Sequence, residues 1–128
     1  RMTEKYLKEK YFEKPAQKNI RKLQLAKAAI RAAITVLLEK YGIGEEDVSK
    51  VYVSGNFGNN IDENACIAVG MFPPGFKGKI KAAGNSCLSG CIAYMMYPDR
   101  RIDISAFSEV LLANEPGFNE ILMNSIDL

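Results

Sequence analysis

An α/β fold, built as a short and mostly parallel sheet flanked by helices, is what this 128-residue sequence predicts, and three observations predict it. A long stretch carries apolar residues at helical spacing. Two short β-rich runs each end in glycine and lead into a helix. Strand and helix signals alternate along the chain, as they do where helices cross over between parallel strands.

Each element has its own local reason. After Pro15, apolar residues recur at Ile20, Leu23, Ile30, Ile34, Leu37, Leu38 and Tyr41, a three-and-four spacing that lays one stripe along a helix. Alanines at 26, 28, 29, 32 and 33 raise its propensity and keep its surface thin, and Gly42 ends it. Val51 and Val53 then face one way and Tyr52 the other in a short strand. Asp62 caps a second helix over 63–69, which Gly70 terminates before Pro73 and Pro74. Residues 79–83 read as a second strand. It ends at Gly84, and Asn85-Ser86 caps a helix running to Tyr97, where Pro98 stops it. The run Glu109-Val110-Leu111-Leu112 predicts a third strand. Pro116 in a first helical turn, with Phe118, Ile121, Leu122 and Ser125, predicts a closing amphipathic helix.

Composition narrows the function classes. With 48% hydrophobic residues, the chain can bury one core and form one domain rather than two. Seventeen basic and fifteen acidic residues leave a net charge of +2, too small and too interspersed for a nucleic-acid footprint. The basic concentration from Lys5 to Lys27 alternates with Glu4, Glu9 and Glu13 and reads as a solvated helix face. Tyr6, Tyr11 and Phe12 read as packing an N-terminal segment against the rest. Residues 1–15 are therefore an N-terminal basic segment or linker, and 16–128 the folded lobe.

No apolar stretch approaches the roughly 20 residues needed to span a bilayer, so no membrane partner is expected. Three cysteines without a secretory signal point to the reducing cytoplasm. With a start at Arg1 rather than methionine, the natural N-terminus is expected to lie elsewhere.

The chemistry concentrates in the glycine turns. In open α/β sheets ligands sit beyond the carboxyl ends of the strands. Here Gly55-Asn56-Phe57-Gly58-Asn59 and Gly84-Asn85-Ser86 both fall at such ends. Glycine amides and a helix N-terminus suit a phosphate or nucleotide, so the two units are expected to line one crevice. The plain alternative is a pair of turns with permissive glycines. Lys27 and Arg31, on the preceding helix, are candidate contacts to phosphate or adenine, against the alternative of solvated helix positions. Cys66 reads as core. Cys87 and Cys91 lie one turn apart and read as buried small hydrophobes rather than a metal site, since no histidine and no further ligand accompanies them.

From about Asn19 onward the chain resembles one family. The residues that carry the likeness are Ile20-Arg21 with Gln24-Leu25-Ala26-Lys27-Ala28-Ala29-Ile30-Arg31, then residues 51–62, then Ile67-Ala68-Val69-Gly70-Met71-Phe72-Pro73, then Gly84-Asn85-Ser86 with Leu88 and Gly90. In this order they resemble the C-terminal part of the ATP-dependent reductive activators of corrinoid proteins. Those activators belong with acetate and sugar kinases, the heat-shock chaperones and actin.

The resemblance implies a ribonuclease-H-like, actin-like ATPase lobe, the second of two, with ATP and Mg held in the cleft of a longer protein. It puts Gly55, Asn56, Phe57 and Gly58 against the nucleotide, and makes the helix through Gly90 and Ala93 the one that packs across the hinge to the first ATPase lobe of the same parent chain. It further implies a corrinoid protein of a methyltransferase system as partner, returned from cobalt(II) to cobalt(I) with an electron from an iron–sulfur cluster.

This chain departs from that pattern in having no Asp-x-Gly phosphate loop and no cluster-binding cysteine set. The cluster is therefore expected outside it, no catalytic residue is assigned within it, and it should not hydrolyse ATP alone. Asn19 also stands where relatives often carry aspartate. Activation of a radical acyl-CoA dehydratase, or a partner-docking module that binds no nucleotide, are the alternatives. The isolated piece, its cleft face uncovered, could form a homodimer.

Overall fold

The computed structural model describes residues 17–55, 58–100 and 103–127. The N-terminal basic segment with Tyr6, Tyr11 and Phe12 lies outside them, as do Asn56 and Phe57. Four α-helices and two strands follow in the order α1 (Gln17–Tyr41), β1 (Val51–Val53), α2 (Glu63–Ala68), β2 (Ile80–Ala82), α3 (Ser86–Met96) and α4 (Phe118–Asn124).

Local signals set the helix ends where the sequence puts them. At the end of α1 the Ile43 amide donates to the Leu38 carbonyl at 3.1 Å and the Gly42 amide to Glu39 at 3.0 Å, with Gly42 at φ +71°. This doubly bonded closure needs the left-handed residue that glycine supplies. The same closure ends α2, from Met71 to Cys66 and from Gly70 to Ile67. The Asp62 carboxylate accepts from the Ala65 amide and the Asn85 side chain from the Leu88 amide, each at 3.0 Å, so both predicted caps are in place.

β1 and β2 pair in parallel, with Val51 opposite Ile80, Tyr52 opposite Lys81 and Val53 opposite Ala82. The connection between them carries α2. Cys66, Met71, Phe72 and Phe76 form a buried cluster beneath the sheet. Ile30, Ile34 and Leu38 of α1 pack against it together with Val51, Val53 and Ile80. A second buried line on α1, Ala28, Ala32 and Val36, accompanies the packing of α4 along this helix. Side chains this small let a neighbouring helix approach closely.

Four expectations are corrected. Residues 109–112 form no strand: the segment is irregular until a one-turn 3-10 helix at Leu112–Asn114. A β-prone run becomes a strand only beside a free edge, and this one meets none. The α1 stripe divides, because Ile30, Ile34 and Leu38 enter the core while Ile20, Leu23, Leu37 and Tyr41 stay exposed. Cys87 and Cys91 are exposed rather than buried, since α3 has no buried residue at all. The closing helix also starts later than expected, at Phe118, after Gly117 rather than at Pro116.

Candidate functional site

The parallel pairing brings the two glycine units together. Beyond the last paired residues, the Ala83 amide donates to the Val53 carbonyl at 2.9 Å and the Gly55 amide to the Gly84 carbonyl at 2.7 Å. The Ser54 hydroxyl meets the Ser86 hydroxyl and lies 3.4 Å from the Gly84 carbonyl. The turn after β1 and the start of α3 thus form one continuous edge at the carboxyl end of the sheet.

The glycines serve this edge in two different ways. Gly55 and Gly84 hold left-handed backbones, at φ +84° and +61°, with open space where a side chain would stand. Gly58 is buried, and a Cβ there would lie 2.4 Å from the Val53 carbonyl oxygen. Its lack of a side chain folds the turn back onto β1; that of the other two keeps the edge clear. The Asn85 cap uses the Leu88 amide, which leaves the Ser86 and Cys87 amides at the start of α3 with no acceptor among the described residues. Asn59 lies in the one-turn 3-10 helix Gly58–Asn60 that closes the first turn.

Lys27 and Arg31 are engaged elsewhere. Lys27 is only 2% exposed, and its ammonium donates to the Asp127 carbonyl beside the Gly70 turn. It is not the solvated position its charge suggests. Arg31 pairs with Glu45 at 3.1 Å, and the second oxygen of Glu45 accepts from the Gly75 amide at 3.0 Å. The Glu45 carbonyl also takes the Lys79 ammonium at 3.1 Å.

Sequence reasoning missed Glu45 as this polar junction, and Ser54 as a member of the glycine edge. The available signal for Ser54 was a hydroxyl beside each glycine unit, at Ser54 and Ser86. Burial, and second the negative charge of Asp62, push the Cys66 thiol up from its ordinary value, so at neutral pH it is a protonated core residue. Among the described residues no group of three histidine, cysteine, aspartate or glutamate side chains is placed to hold a metal.

The sequence profile of the C-terminal domain of RACo, the ASKHA domain, matches residues 13–128. The chain belongs to this family. Its relatives include the corrinoid activation enzyme RamQ of Eubacterium limosum, 32% identical over 111 residues, which cover 84% of this chain and 19% of that protein. The C-terminal ASKHA domain described here thus spans about a fifth of the relative's length. No solved structure matches it.

Proposed function

We propose that this ASKHA domain is the nucleotide-binding lobe of a longer, cytoplasmic, ATP-dependent activator that returns corrinoid methyltransferase proteins from cobalt(II) to cobalt(I). The observation that carries the reading is the joined edge, Gly55 on Gly84 and Ser54 on Ser86, at the carboxyl end of two parallel strands. Similarity to a protein named for corrinoid activation supplies the substrate. The two strands would be part of a larger, ribonuclease-H-like sheet.

In this reading Gly55 and Gly84 let the backbone lie close to ribose or phosphate, while the Ser86 hydroxyl and the Ser86 and Cys87 amides donate to phosphate oxygens at the start of α3. Magnesium would offset phosphate charge when nucleotide is bound. An iron–sulfur cluster does not fit this chain's described residues, which offer one buried cysteine and two on a single helix. No electron step is therefore assigned to them. The lobe's contribution is conformational: ATP shifts the protein towards whichever lobe arrangement binds it more tightly, and by no more than that difference in affinity.

Titration of the longer activator with a fluorescent ATP analogue tests this. Ser86→Ala is expected to weaken binding about tenfold, as loss of a hydrogen bond to a charged group does, and Gly55→Val, which puts a side chain into the open edge, to weaken it by at least as much. Unchanged affinity in both variants would overturn the nucleotide assignment.

A further inference from the structure

The segment from Leu112 to Asp127 lies along α1 as a strap. Its start is held where the Lys40 ammonium pairs with Glu115, and its end where Lys27 donates to the Asp127 carbonyl. Lys40 and Lys27 are thirteen positions apart on α1, roughly 20 Å at helical rise. The strap therefore runs antiparallel to α1, pinned at both ends by lysines of that one helix. Between the pins Phe118, Ile121, Leu122 and Ser125 are half-buried.

The two pins differ in kind. Lys40 is half-exposed and would simply return to water if Glu115 left. Lys27 is buried, and its ammonium stands 3.6 Å from where a Cβ of Gly70 would be. A Cβ there would only touch the ammonium, so it is the left-handed backbone of the turn, φ +78°, that calls for glycine at Gly70. Among the described residues the hydrogen-bond acceptor of Lys27 is the Asp127 carbonyl alone. Undocking the strap would take away that acceptor, and a charge left buried and unpaired is not tolerated without rearranging. What must then move is Lys27 itself or the turn packed against it.

That turn closes α2, a six-residue helix whose other end is capped by Asp62, four residues after Gly58. Both ends of this short rigid piece are fixed, one beside the glycine edge and one against Lys27. We infer that Lys27 is a positioning residue that couples docking of the C-terminal strap to the Gly70 turn and, through α2, to the part of the glycine edge at 58–60. The coupling concerns backbone order and stands whether or not nucleotide binds at that edge.

Hydrogen exchange of the full chain tests it without any ligand. Deleting Asp127 and Leu128 removes the acceptor and is expected to speed exchange about tenfold across residues 58–72 as well as in the strap. In Lys27→Met, where no charge remains to be stranded, the same deletion is expected to change 58–72 less than about twofold, a departure from additivity that measures the coupling. Glu115→Gln, which loosens the far pin in a chain that keeps Lys27, is expected to speed 58–72 in the same direction. Exchange confined to 112–126 in the deletion and in Glu115→Gln overturns the inference, as do effects of the deletion and of Lys27→Met that simply add.

Discussion

Gly58 shows how little freedom the candidate edge has. With the Val53 carbonyl 2.4 Å from its would-be Cβ, the obstacle is backbone and cannot swing aside. Gly58→Ala is expected to lower stability by about 2–4 kcal/mol, read as a fall in denaturation midpoint. The cysteines divide by surroundings: Cys87 and Cys91 should react quickly with a thiol reagent in the native chain, and Cys66 only at the rate of opening.

Cys66 also leaves a pH signature. Its raised pKa means that the folded chain holds the thiol proton more tightly than the unfolded one. Its contribution is intact below the ordinary thiol value of about 8.5 and is lost as pH rises through the raised value. Stability should therefore fall further between pH 7 and pH 10 in the natural chain than in Cys66→Val; equal losses would remove this group from the pH dependence. Residue types alone did not separate these thiols. All three read as core, and only the uncovered state of α3 sets two of them apart.

Elements were legible wherever their signals are local. Asp62, Asn85, Gly42, Gly70 and Pro98 act within four residues of a helix end, so caps and stops can be read without a fold. Asp62→Ala and Asn85→Ala should each cost about 1 kcal/mol, measured by urea unfolding. Gly90 sits inside α3 with nothing near its would-be Cβ. Gly90→Ala should therefore stabilise this chain by about 0.5–1 kcal/mol; a destabilisation would show that α3 is covered after all. The segment 109–112 was misread for the opposite reason, since a strand needs a neighbour that no local pattern reveals. The same holds for α1, where periodicity marks an apolar stripe but not which part of it meets the core and which is left bare.

On the scale of the whole molecule, much apolar surface is left open. Every described residue of α3 is exposed, among them Leu88, Ile92, Met95 and Met96, and α3 carries no charge. Ile34, Leu37, Leu38, Tyr41 and Ile43 line an open apolar groove at the end of α1. Surfaces of this kind drive association in water. The chain is expected to self-associate as concentration rises in sedimentation experiments, and Ile92→Lys to weaken that association without unfolding the chain. A concentration-independent monomer in the natural chain would refute the expectation.

The capped and glycine-stopped helix ends, both strands, the parallel class of the sheet and the presence of two glycine turns followed from sequence, because propensity, capping and glycine backbone preferences act over a few residues. Contact between those turns, pairing of the buried Lys27 with the Asp127 carbonyl and exposure of Cys87 and Cys91 depended on tertiary structure. Each is a relation between distant segments: the Gly55 amide needs the Gly84 carbonyl, and Lys27 needs a carbonyl one hundred residues away. Such pairings are set by how the layers stack, and a charge or a thiol carries no mark in its own neighbourhood of which side of a layer it will face.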